Sequence, residues 1–176
     1  MNSKRMFEIN GNLVTILNYD NFEKSVGLVR NRFVELFGKE VMSKIPLLVD
    51  NATEMSGYTP ITTPVLGQYL CIKLGIKNFL DTSKIVFQFA HELCHYVFYS
   101  LLGLDKSFAN DLEESICTAM SLCILKDFYS NIQSHIDYIK GHENLGYKNG
   151  IDIAESVNYK SSELSLIILK EAENVQ

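Results

Sequence analysis

His91-Glu92-Leu93-Cys94-His95 is the stretch of this chain whose residue types and spacing could do chemistry. On a helix, histidines at i and i+4 share one face. From that face two imidazoles can grip one zinc ion, and the intervening glutamate is placed to handle the proton of a water. A catalytic zinc takes three protein ligands and keeps a further position open, so a third donor must come from elsewhere in the chain. Glu113 and Glu114 follow at an interval that lets one helix finish, the chain turn, and the next helix return antiparallel. Helical periodicity alone leaves both open. Glu114 shares a face with Thr118 and Ser121, a small polar stripe suited to close helix contact and outer hydrogen bonds, and this favours Glu114. Glu113 points nearer Cys117, Met120 and Ile124.

With His91, His95 and Glu114 on Zn2+, Glu92 is expected to act as general base on the attacking water and then to deliver the proton to a leaving amine. The developing oxyanion needs one more donor. His135, Tyr138, His142 and Tyr147 are candidates, and nothing in the sequence selects among them. An H-E-x-x-H string also arises by chance, with both histidines serving as ordinary buried helix residues. Three features argue against chance: the motif sits in a helix that is apolar on nearly every face, a carboxylate pair follows it, and caps flank the helix. An unpaired carboxylate inside such a helix costs several kcal/mol or takes up a proton, and a metal centre relieves that. The longer H-E-x-x-H-x-x-G-x-x-H form fails, since Phe98 and Leu101 stand where Gly and His are required. The glycines at 57, 67 and 75 make no phosphate loop.

The positioning elements can be read around the motif. The central helix is predicted over 83–102, with Asp81, Thr82 or Ser83 as cap and Gly103 as stop. A second helix is expected over about 110–129, with acidic residues in its first turn as the helix dipole prefers. Residues 21–37 form an amphipathic scaffold helix with Phe22, Val26, Val29, Phe33 and Phe37 inward, Asp20 and Glu23 as a capping box, and Gly38 at its end. Residues 45–50 and 68–74 read as strands, the latter with Leu70, Ile72 and Leu74 on one side. Residues 6–17 suggest a strand or hairpin around Asn10-Gly11. The Thr-, Pro- and Gly-rich stretch 51–67 reads as a loop or irregular hairpin, and 141–150 as a Gly-rich loop; both are candidate edges of a cleft. Ile132, Ile136 and Ile139 suggest a short helix, and 161–173 a terminal one with Leu164, Ile167 and Ile168 inward.

Composition sets the frame. At 176 residues, 47% apolar and 21% charged, the chain suits one globular domain over 1–176. The net charge of −5, with scattered Lys and Arg, gives nucleic-acid binding no support. No apolar run is long enough to span a membrane, and the N-terminus does not read as a signal peptide, so the expected location is the cytoplasm. Cysteines 71, 94, 117 and 123 match neither a disulfide framework nor a C-x-x-C pair and are expected to be reduced, buried side chains.

Phe89-Ala90-His91-Glu92-Leu93-Cys94-His95 together with Glu113-Glu114-Ser115-Ile116-Cys117-Thr118-Ala119 resembles the zincins of the glutamate-ligand type, and more narrowly the ImmA/IrrE family of small intracellular metallopeptidases, over roughly residues 20–125. The chain departs from that family at Cys94, Ser115, Ile116 and Thr118, so the helix pair is expected to pack somewhat differently. The resemblance implies an α+β, minimal zincin-like fold: a small twisted sheet packed on the active-site helix and a following glutamate-bearing helix. It places the third ligand on Glu114. It implies that the strand at 68–74 is the edge to which a peptide adds, and that the substrate is an intracellular protein of the repressor type. The expected function is therefore a zinc peptidase of narrow specificity. The alternative is a non-catalytic zinc-binding regulatory or protein-interaction module on the same fold; Glu92 argues against it, since a structural site needs no general base. Oligomeric state is not legible in the sequence.

Overall fold

The computed structural model describes residues 6–9, 12–15, 19–51, 59–106 and 109–175. In chain order these form β1 (Met6–Ile9), β2 (Asn12–Thr15), α1 (Tyr19–Met42), β3 (Leu47–Asn51), β4 (Ile61–Val65), β5 (Tyr69–Leu74), α2 (Thr82–Leu102), α3 (Asp111–Phe128), α4 (Gln133–Lys140), α5 (Leu145–Ser156) and α6 (Ser161–Val175). The architecture is α+β, as expected. β1 and β2 pair antiparallel, while the Asn10-Gly11 between them lies outside the described residues. No described helix is long and apolar enough to cross a membrane.

The three-stranded sheet has the order β3-β5-β4, with β3 parallel and β4 antiparallel to β5. This corrects one expectation. The strand at 68–74 is central rather than an edge, because part of the stretch 51–67, which reads as a loop or irregular hairpin, forms β4 and pairs with it. β4 reaches β5 through a tight turn in which Leu66 (φ 54°) and Gly67 (φ 65°) are both left-handed, and the Gln68 N–H donates to the Val65 carbonyl. Pro64 fits because it faces Leu70, whose N–H is already given to the Pro46 carbonyl on the β3 side. By the same alternation, Thr62 turns its backbone N–H and C=O to the open edge of β4. Leu70, Ile72 and Leu74 point inward and are fully buried.

α1 buries Phe22, Val29, Phe33 and Phe37, as its periodicity predicts. Asp20 lies in its first turn and does not cap it, since the helix starts at Tyr19. Gly38 (φ 82°) breaks the helical path as expected, but one more turn follows to Met42. From Ile85 to Ser100 every side chain of α2 except Gln88 is buried. Asp81 caps that helix by accepting from the Lys84 N–H, and Gly103 closes it by donating to the Tyr99 carbonyl. Tyr96 ties α2 to the start of the sheet: its hydroxyl donates to the Ile45 carbonyl at 2.8 Å. Arg32 joins three helices by donating to Asp127 and to Ser161, each at 2.9 Å.

Residues 145–150 are helical, a second correction to the expected loop at 141–150. Gly146 and Gly150 lie one turn apart on the face of α5 that meets α3. A Cβ on Gly146 would come within 3.1 Å of the Glu114 Cβ, and one on Gly150 within 2.6 Å of the Thr118 Cβ. These glycines permit close approach of two helices, and that contact offsets their poor helix propensity. On α6, Leu164 and Ile168 are buried as expected, whereas Ile167 is 43% exposed and points outward.

Candidate metal centre

α2 carries His91 and His95 on the face that meets the first turn of α3. Asn110 caps α3 by accepting from the Glu113 N–H at 2.9 Å, which fixes where Glu113 and Glu114 enter. The Nε2 atoms of His91 and His95 are 3.3 Å apart. Glu114 spans both: Oε2 is 3.2 Å from His91 Nε2, and Oε1 is 3.4 Å from His95 Nε2. One ligand atom from each of these three residues lies within 4.8 Å of the others, and together they could hold a metal ion. Donors on a tetrahedral ion with bonds of about 2.0–2.1 Å are separated by roughly 3.4 Å, so the spacing fits an ion of zinc's size. Two imidazoles and a carboxylate suit zinc and its transition-metal neighbours.

Burial works to raise the Glu114 carboxyl, but the His91 hydrogen bond and the electrostatic pull of His95, His91 and Lys106 outweigh it and hold the group below its usual value. Glu113 takes a different place from its neighbour. Its Oε1 lies 2.8 Å from His95 Nδ1, on the far side of the ring from Glu114. The Cys117 sulfur is 3.4 Å from the same Nδ1, and Thr118 Oγ1 is 3.5 Å from His91 Nδ1. All four cysteines are free, Cys71 half-buried and the others buried.

Glu92 is 3% exposed and lines the same cavity as His91. Thr62 of β4 holds it: the Thr62 hydroxyl lies 2.9 Å from Glu92 Oε2 and 2.9 Å from the Glu92 carbonyl. Burial pushes the Glu92 carboxyl up to about 7, against the pull of His95 and the Thr62 hydrogen bond. A value near neutrality suits a group that must take up and release one proton.

The cavity, about 500 Å³, is lined by His91, Glu92 and the first half of α2, by Thr59 and Pro60 just before β4, and by residues of α4 and α5. All four candidate oxyanion donors, His135, Tyr138, His142 and Tyr147, line it. Tyr147 lies flat on the His91 ring, with centroids 5.2 Å apart and planes at 10°. His142 stacks on the other side of Tyr147 at 4.6 Å. Burial, with the negative charge of Glu114 and Glu92, raises the Tyr147 hydroxyl well above its usual value and keeps it a donor. His135 tilts against Phe87 at 5.2 Å, and burial lowers its pKa.

Thr62 and Lys106 were not singled out from the sequence. Thr62 lies in the stretch 51–67, which reads as a loop or irregular hairpin. Lys106, in the connection between α2 and α3, had one visible signal: a cation just before an acidic pair. Comparison with protein-family models, with curated proteins and with solved structures finds no match. The zincin resemblance therefore rests on the motif residues.

Proposed function

We propose that this chain is a zinc-dependent peptidase that cleaves a specific protein substrate. The observation that carries the reading is the convergence of His91, His95 and Glu114 beside Glu92, a carboxylate that opens to a cavity of peptide-binding size. When bound, zinc supplies Lewis acidity and lowers the pKa of a water. Glu92 takes the proton of the attacking water and passes it to the leaving amine, and Thr62 keeps its carboxylate aimed. A substrate strand could add to β4, which pairs only with β5 among the described residues and has one residue that already touches Glu92. Tyr147, stacked on His91, and His142, stacked on Tyr147, would supply a donor for the oxyanion. Repressor-type regulators, which the resemblance implies, are the first substrates to assay.

The deciding experiment is Glu92→Gln on the zinc-loaded protein, offered candidate repressors and a peptide library. The proposal expects zinc content to stay as in the wild type and cleavage to fall by roughly 10²–10⁴-fold. A wild type that binds zinc but cleaves none of these substrates, or gives only a background that Glu92→Gln leaves unchanged, would favour the non-catalytic module.

A further inference from the structure

We infer that Glu113, clamped by Lys106, is the positioning residue that commits His95 to metal binding through Nε2. The inference deepens the metal reading above and rests on it. Glu113 and Glu114 are adjacent in sequence, yet they reach opposite nitrogens of the same ring: Glu114 lies 3.4 Å from His95 Nε2, and Glu113 lies 2.8 Å from His95 Nδ1. A carboxylate can only accept here, so the Nδ1 proton stays on the Glu113 side and the Nε2 lone pair is free for a metal.

Left to itself, Glu113 would be a poor anchor, because a second carboxylate beside two imidazoles is also a competing ligand. Lys106 removes that freedom. Its ammonium donates to both Glu113 oxygens, at 3.0 and 2.9 Å, and sits over the Tyr99 ring at 4.4 Å. The Lys106 side chain is 7% exposed and that of Glu113 11%, so the pair is held away from water. At this burial, loss of either partner leaves the other charge poorly solvated. The two histidines are unequally supported. Among the described residues, the partner of His91 Nδ1 is the Thr118 hydroxyl at 3.5 Å, beyond good hydrogen-bond length.

The test is zinc affinity by chelator competition on the full chain, for Glu113→Gln, Lys106→Met, the double variant and Thr118→Val. Glu113→Gln and Lys106→Met should each weaken binding by roughly 10–100-fold. The double variant should be no weaker than Glu113→Gln alone, because Lys106 acts through Glu113. Thr118→Val should bind nearly as the wild type. Cobalt-loaded Glu113→Gln should shift its visible bands, since the His95 ring is then free to turn. Thermal unfolding of the metal-free proteins checks that each variant folds, and the double variant, which leaves no lone buried charge, keeps the test valid if Lys106→Met does not. Wild-type affinity in both single variants, or a double variant that loses the sum of the two effects, overturns the inference while the metal centre stands. A wild type that takes up no zinc overturns both.

Discussion

Gly150→Ala tests the helix contact that seats the mouth of the site. The added Cβ would lie 2.6 Å from the Thr118 Cβ, 2.8 Å from the Thr118 Cγ2 and 2.8 Å from the Ser115 carbonyl oxygen. Carbon atoms rest about 3.5–4.0 Å apart, so α5 must retreat by about 1 Å or α3 must yield. Thr118 is fully buried and cannot swing away. Overpacking of this kind destabilises by about 1–3 kcal/mol, and three contacts under 3 Å place it at the upper end. The gain in helix propensity returns about 1 kcal/mol. The net loss is about 2 kcal/mol, which for a chain of this length lowers the thermal midpoint by roughly 4–8 °C. Urea and thermal unfolding of the metal-free protein measure it directly. Gly27→Ala is the control, because nothing lies within 4 Å of its added Cβ, and it should stabilise by about 0.5–1 kcal/mol. Thr118→Ala should not rescue Gly150→Ala, since the Cβ that makes the closest contact remains. Tyr147 rides on the same helix, so its stack on His91 should open as well. A Gly150→Ala protein as stable as the wild type would refute the close packing of α5 on α3.

Other substitutions probe separate links. Glu114→Ala and His95→Ala should each reduce zinc affinity by more than the roughly 10–100-fold expected for an outer partner, measured by metal analysis after gel filtration; retention of one zinc per chain in Glu114→Ala would point to Glu113 as the ligand. Thr62→Val removes the hydrogen bond to Glu92 without changing side-chain size; cleavage should slow roughly tenfold at unchanged zinc content, in line with about 1.5 kcal/mol for a hydrogen bond to a charged group, and an unaltered rate would sink the role given to Thr62. Arg32→Met breaks the bonds to Asp127 and Ser161 that tie α1 to α3 and α6. It should cost about 1–2 kcal/mol in urea unfolding, and no change in the midpoint would mean the helices are held by their apolar contacts alone.

The parts of this fold legible in sequence are those with strong periodicity. α1, α2 and α3 lie close to their predicted positions, because long runs of inward residues and recognisable caps point to one answer. β4 and α5 were not legible, for a shared reason. Thr62-Thr63-Pro64 carries turn-like residues, yet it forms a strand because Leu70 spends its N–H on the other neighbour. Gly146 and Gly150 carry a loop-like signal, yet they are helical because α3 needs their missing side chains. In both cases a partner remote in sequence overrides local preference. The same holds at the site. The histidine pair and the carboxylate pair are visible as spacing, and the stripe with Thr118 favoured Glu114, the glutamate that faces both Nε2 atoms. The second hydrogen bond of His95 and the hold on Glu92 depend on where Lys106 and Thr62 arrive in space, and no periodicity encodes that.

All the donors of the metal centre come from one helical hairpin, with His91 and Glu114 only 23 positions apart. Closing so short a loop carries a small entropic penalty compared with gathering ligands from distant parts of a chain. A denatured chain keeps His91 and His95 four positions apart and would retain some affinity for zinc. By linkage, a ligand stabilises the native state only by its preference over the denatured one. Zinc should therefore raise the unfolding free energy by less than its native-state affinity alone implies. The apolar core, not the ion, would then hold the chain folded, so that chelation would empty the site and leave the scaffold standing.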